Sequence, residues 1–472
     1  MRGVAADDAL WWMHLQMTAR SGDPTNPFTG SQITGYFPNC ASSAYITASA
    51  SAFIWAMSLN GHFVAFPPGA YIGTWPSAAR EAENDQRWTQ DPYAEDALRN
   101  LNWLLTDRAV IISGIPSVEE SNTVGMFPEI GRTPIPGTDD GVGIWIGFGG
   151  GDQTGYPHGH ALSALSVANL TGLAAQVGDT TYIMGRPFEY IIQQMVDAAV
   201  WAQLDGGCGD GGWYYTPNAG TGCGYMDMSV TLWQLTGLWH ADHFMSPSGV
   251  IVPNRAKLRY ANTFWQNGQS VSGSEYAGAY TSAGSGGPHF TLTAGHVLWA
   301  GWVGADQFDA ADPVTAFPGY ASLTRGQLRT RYDQYMGYIL PRWLSSQTAH
   351  SGSYNVSLWD AGDFDRTDRR GNVYAMLHWQ DAARAHDPPL DLFGPHDWLR
   401  QMSIFLTQNQ FGDGHFKGEW CSSAGSCGSC GGPCAYSECW GTETLSTAWS
   451  VLILTPDAIP PLAIGDAVPT AT

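Results

Sequence analysis

Lysine is almost missing from this chain. Among 21 basic residues only Lys257 and Lys417 are lysines, and charged residues make up 13% of the 472 positions, well under the usual quarter. Acids outnumber bases 42 to 21, for a formal charge of −21. That field repels phosphate backbones and anionic headgroups, which excludes nucleic acid and anionic lipid as partners. A solvated acidic surface that keeps an apolar, Gly-rich protein soluble is the simpler reading of the charge. No uninterrupted apolar run approaches the ~20 residues that cross a bilayer, so no membrane span is expected. HExxH, Gly-x-Ser-x-Gly, the P-loop and CxxCH are missing too. Zinc-protease, serine-hydrolase, NTPase and covalent-haem readings therefore lose their motif support.

What is present is apolar and aromatic. Hydrophobic residues reach 44% with 21 Trp, ample for a large core, so disorder is expected only at the termini. The eight cysteines sit in irregular, Gly-rich stretches: Cys40 alone, Cys208 and Cys223 around one loop, and Cys421, Cys427, Cys430, Cys434 and Cys439 in another. An even count in such loops favours disulfides and an oxidising compartment. A structural zinc site is the rival for the last cluster, because Cys427 and Cys430 have ligand spacing. Met1–Asp7 is too short and polar for a signal peptide. That leaves either an intracellular protein or a mature form without its export signal; the cysteines tip the expectation to extracellular or periplasmic.

Internal repetition decides the architecture. Helical periodicity and breakers divide the chain into six helix pairs: Asp8–Arg20 with Ala44–Asn60, Tyr93–Thr106 with His160–Val177, Phe188–Leu204 with Asp227–Phe244, Asn254–Asn267 with Phe290–Val303, Arg325–Ser346 with Asn372–Ala385, and His396–Gln408 with Glu443–Leu454. Second helices such as FTLTAGHVLWAGWVG are almost free of charge and are expected inside; first helices such as PYAEDALRNLNWLL carry one charged face and are expected outside. Six inner helices ringed by six outer ones make an all-α, α/α-toroid domain over residues 1–454, preferred to a linear solenoid, which would be amphipathic in both halves of each repeat. A Pro/Ala-rich tail, 455–472, follows as a strap or linker stub. The inserts 61–91 and 106–155 read as irregular, and 268–288 as a mobile flap.

Gln203-Leu-Asp-Gly-Gly…Gly212-Trp213, and Phe405-Leu…Gln410-x-x-x-Gly414, resemble the QW-type repeats of the prenyltransferase and squalene-oxidase repeat superfamily, which includes squalene–hopene cyclases and protein prenyltransferase β subunits. The resemblance implies an α/α toroid in which Gln203, Trp213 and Gln410 are joints between hairpins. It does not carry the chemistry over. The DxDD acid motif of the cyclases is absent, and the nearest run, Asp363-Phe-Asp365-Arg-Thr-Asp368, spreads its carboxylates beside three arginines. The Asp, Cys and His zinc set of the prenyltransferases, and the Cys/Cys/His set of the lanthionine cyclases, are not recognisable either.

In a toroid, residues entering the inner helices ring a central cavity. Those candidates are Tyr156, His158 and His160, then Asp227, His289, Asp360, Asp363, Asp365 and Asp368, and Glu443. His158, His160, Asp227, His289 and Asp365 are the catalytic candidates, although capping of a helix N-terminus explains Asp227 and Thr442 equally simply. No cofactor is expected. Metal binding by His158-x-His160 with Asp227 or His289 stays open as a weaker reading. The first functional expectation is an extracellular scaffold or binding protein, self-assembling or holding a partner. The second is a carbohydrate-active enzyme, a glycoside hydrolase or polysaccharide lyase using carboxylates and His at one rim, with Trp145, Tyr214, Tyr215, Trp233, Trp359 and Trp420 as faces for sugar rings. Terpene or prenyl chemistry comes third.

Overall fold

A computed structural model describes residues 2–16, 43–115, 141–147, 154–204, 210–217, 226–281, 288–312, 314–317, 320–343, 370–371, 373–418 and 443–455. Among them are thirteen α-helices with extensive inter-helix packing. Six are buried on every side: α2 (Ser43–Leu59), α5 (Gly155–Val167), α7 (Met228–His240), α9 (Phe290–Trp302), α11 (Val373–Arg384) and α13 (Glu443–Leu454). Six more, α1 (Arg2–Gln16), α4 (Ala94–Trp103), α6 (Phe188–Ala202), α8 (Asn254–Gln266), α10 (Arg325–Ile339) and α12 (Trp398–Asn409), precede them one by one in the chain. All twelve helices expected from the periodicity are present. The thirteenth, α3 (Ala78–Gln90), lies in the insert read as irregular, and Ser77 caps it.

The contacts of the buried helices are sequential: α2 packs on α5, α5 on α7, α7 on α9, α9 on α11, α11 on α13, and α13 on α2 again. Small residues set the spacing. A Cβ on Gly159 of α5 would stand 2.3 Å from the Trp233 carbonyl oxygen of α7, and one on Gly237 would stand 2.8 Å from the Gly159 oxygen. Here the two helix backbones are in contact.

The joints repeat with the same register. The Gln203 amide donates to the Gly211 carbonyl at 2.8 Å and to Ala256 of α8 at 3.0 Å. The Gln410 amide donates to Gly414 at 2.8 Å and to Ala5 of α1 at 2.8 Å. Gly211 and Gly414 both have positive φ, and a Cβ on either would strike the backbone oxygen three residues further along the same outer helix, at Arg259 and Asp8. Trp213 then fills the wedge, its indole donating to Ala199 at 2.7 Å while Thr231 bridges its backbone. Phe416 and Thr447 repeat that bridge in the last pair.

Three expectations need correction. The insert 106–155 is partly ordered as an antiparallel pair, β1 (Ala109–Ser113) with β2 (Val142–Ile146), Ala109 opposite Ile146, packed on α6. The segment 268–288 begins as the hairpin β3 (Gly268–Ser272) and β4 (Glu275–Gly278). Finally, the disulfide expectation is not upheld: no bonded or near-bonded cysteine pair is found among the described residues, and all eight cysteines lie outside them. Likewise, no described helix is long and apolar enough to cross a membrane.

Candidate functional site

The N-terminal ends of α7, α5 and α9 gather one polar network. Asp227 is the N-cap of α7, with Oδ1 accepting from the Ser229 and Val230 amides at 2.9 and 3.1 Å. The same oxygen accepts from the Ser229 hydroxyl. Ser229 Oγ, having donated there, accepts from the Tyr156 hydroxyl of α5 at 2.5 Å. Oδ2 accepts from the Tyr215 hydroxyl at 2.8 Å. Burial raises the Asp227 carboxyl, against the pull of Ser229, Tyr215 and the two amides. Burial, with the Asp227 charge second, holds the Tyr156 and Tyr215 phenols far above their usual range. Tyr374 of α11 is raised the same way, with Tyr280 and Asp227 adding to the effect of burial. The arrangement is a carboxylate held by donors on every side: it can stabilise a helix end, and it can hold a proton.

Of the expected site residues that are described, Asp227 and His289 share one end, and His158 and His160 point apart. His289 is the N-cap position of α9, buried, with its ring against the edge of Tyr280 at 4.9 Å. It belongs to the same end as Asp227, since the Met228 amide donates to the Tyr280 carbonyl. His158 and His160 stand two positions apart on α5, about 200° around a helix, and look opposite ways. His158 turns to α6 and β2, stacked flat on Trp145 at 3.9 Å; Nδ1 accepts from the Ile146 amide, so Nε2 carries the proton toward the Met195 carbonyl at 3.2 Å. His160 turns inward, stacked on Trp233 at 3.5 Å, with Nδ1–H directed to the Tyr156 carbonyl at 2.9 Å. Desolvation lowers both imidazoles to about 3. The His-x-His pair is thus split between two sides of one helix. No group of three or more His, Cys, Asp or Glu side chains able to hold a metal occurs among the described residues. Asp365, with Asp360, Asp363 and Asp368, lies outside the described residues.

At mid-depth the space between the inner helices is filled by rings. Trp233 of α7 touches His160 on one side and His378 of α11 at 4.3 Å on another; Tyr374 and Trp449 of α13 complete the cluster at 5.7 Å each. His378 is fully buried, neither ring nitrogen has a partner, and desolvation holds it well below its usual range. One turn on, Asp381 is 1% exposed with both oxygens unpartnered; desolvation raises its carboxyl to about 7, opposed by Arg384. Beyond it, His240 Nδ1 meets the Ser163 hydroxyl at 3.0 Å. Ser229, Tyr374, His378 and Asp381 escaped the sequence reading. The signal for the last three was the spacing Tyr374-x3-His378-x2-Asp381, one face of a helix otherwise free of charge at its centre.

A surface cavity of about 730 Å³ lies elsewhere, lined by Pro67, Pro68, Trp88, Asp91, Pro92 and Glu95 among others, and no residue of the network or the axis lines it. This cavity is therefore separate from the polar network. Comparison with protein-family models, curated proteins and solved structures finds no match to this chain. What stands from the resemblance to the prenyltransferase-like repeats is an all-α protein of many packed helices.

Proposed function

We propose that the chain is an α/α toroid of the prenyltransferase-like repeat type, exported to the extracellular space or periplasm, where it acts as a scaffold or binding protein and associates with itself or a partner. The helix contacts that lead from α2 back to α2, and the matching Gln203 and Gln410 bridges, support the toroid. One observation carries the function: the depth at which a helical ring would hold a substrate is occupied by His160, Trp233, Tyr374, His378 and Trp449 in mutual contact. Export is supported by composition alone, the near absence of lysine and the Gly- and aromatic-rich inserts. The test pairs sedimentation velocity with a polysaccharide panel scored for new reducing ends and unsaturated uronates. Association or retention on a polymer without product is the expected result. Turnover of any panel member overturns it.

A second reading, a carbohydrate-active enzyme, is favoured by a specific feature: the buried Asp227 carboxyl between Tyr156–Ser229 and Tyr215, a proton-holding group at the rim. Asp227→Asn keeps a capping residue and removes the acid. Loss of turnover with unchanged melting would make Asp227 a catalyst, and unchanged turnover would leave it a cap.

A further inference from the structure

We infer that the surface cavity beside α3 and α4 is a binding cleft for a neutral polysaccharide, an assignment that rests on the chain's being a binding protein. Its volume, about 730 Å³, falls in the roughly 300–1,000 Å³ range of small-ligand sites. Two rigid pieces of backbone form its walls. One is the turn Pro67-Pro68-Gly69-Ala70, closed by the Ala70 amide donating to the Pro67 carbonyl at 2.9 Å, with Gly69 at φ +75°. Proline followed by a glycine of positive φ is the central pair of a type II turn. The other wall is the C-terminal end of α3, where Pro92 has no N–H to offer the Trp88 carbonyl. Both walls are tied down. Asn84 of α3 exchanges two hydrogen bonds with the backbone of Phe66, at 2.7 and 2.8 Å, and Arg87 donates to the Gly61 carbonyl at 2.8 Å. A cleft built this way needs little reordering when a ligand enters.

The lining is amphipathic, as a sugar is. Trp88 is half-buried against the core, and among the described residues no ring or cation stacks on it and no acceptor meets its N–H. A flat indole offers apolar contact to the C–H face of a pyranose and a donor to a hydroxyl at its edge. Gln90 beside it is exposed; its carbonyl accepts from Gln86 at 3.2 Å, and its NH2 donors are unused. Asp91 accepts from the Tyr93 amide at 2.9 Å and faces His62 at 3.1 Å, which leaves part of a carboxylate's roughly four acceptor sites for hydroxyl donors. Glu95 is paired with Arg99 at 2.7 Å, so the second acid adds little net charge. A neutral, hydroxyl-rich ligand uses ring, donor and acceptor together. A cation would compete with His62 and Arg99 for the same oxygens, and a uronate would meet two carboxylates. Pro68, Gly69, Gln90 and Pro92 are exposed, so a chain longer than one sugar can run through the cleft.

The test is native electrophoresis of the full-length chain through gels holding soluble β-glucan, xylan, galactomannan or, as the anionic control, polygalacturonate. At least one neutral polymer should retard the chain, and polygalacturonate should not. Trp88→Ala should weaken that binding about tenfold and Gln90→Ala about threefold, the losses of a central and a rim contact. Trp88→Phe keeps a flat ring and should keep most of the affinity. Gln90 is exposed, so Gln90→Ala leaves the packing alone and decides the matter if Trp88→Ala fails to fold. Equal retardation of the wild type, Trp88→Ala and Gln90→Ala overturns the proposal by placing the glycan elsewhere, and leaves the binding-protein reading intact. Absence of retardation by every neutral polymer also overturns it, while sedimentation velocity still judges self-association. So does tighter binding of choline, by calorimetry, than of any neutral saccharide, which would make the cleft a cation site.

Discussion

Two buried carboxylates on inner helices, Asp227 and Asp381, meet opposite fates. Asp227 has an amide or hydroxyl donor on each oxygen, while Asp381 has none. Burial raises both. Only at Asp227 do hydrogen bonds offset it, because a bonded anion retains what it loses in water and an orphaned one does not. The N-terminal end of the buried helices holds a satisfied network; farther along α11, His378 and Asp381 stay neutral because no hydrogen bond answers them. The lesson is that residue type and helix position do not separate the two cases. Partners do.

The largest expected effect breaks the column. Trp233→Ala removes the ring on which His160 and His378 rest and should cost about 3–5 kcal/mol, read as a fall in denaturation midpoint. A loss below ~1 kcal/mol would mean the axis is loosely filled.

Asp381 gives the next effect, and its sign is fixed by linkage. The folded carboxyl keeps its proton to about pH 7, whereas the unfolded one loses it near 4. Its contribution is complete below pH 4 and disappears as pH rises through 7, by at most about 4 kcal/mol at 1.4 kcal/mol per pH unit. Asp381→Asn should flatten this limb and be the more stable protein at pH 8; a variant less stable at that pH would refute the orphaned carboxylate. The buried histidines act in the other direction. His158, His160 and His296 are lowered to about 3 by desolvation, so the unfolded chain takes up protons below about pH 6.5 that the folded chain refuses. Stability should fall as pH drops from 6.5, with the steepest loss above pH 3, measurable by urea titration at successive pH values.

The smallest effect tests the satisfied end. Asp227→Ala should cost about 0.5–2 kcal/mol as a lost cap, and Asp227→Asn less. Equal losses in both variants would assign the stabilisation to the charge and not to the cap.

The helix pairs were legible because helices nearly free of charge alternate with one-sided ones along the chain, a contrast weakest in the fifth pair, where α11 carries Asp381 and Arg384. The start of α5 was not. From the sequence this helix begins at His160, whereas in the structure it begins at Gly155: Pro157 is tolerated in a first turn, where its missing N–H would have no partner in the helix, and Gly159 is needed for contact with α7. The candidate site was half legible. Asp227 and His289 share an end, but the opposed directions of His158 and His160 depend on the rotation of one helix, which a list of polar residues does not contain. The orphaned pair on α11 was hidden for the same reason: a sequence displays a group, not the absence of its partners.

The bridge from Gln410 to Ala5, with Gly414 seated on Asp8, makes the first and last helix pairs neighbours in the same way as Gln203 makes neighbours of the third and fourth. A linear array melts inward from its two caps. Here the first and last pairs cover each other, so loosening α1 also strips a wall from α12 and α13. Fraying from either end should be suppressed, and new termini opened in a connection between two pairs, with the old ones joined, should leave the order of neighbouring helices unchanged.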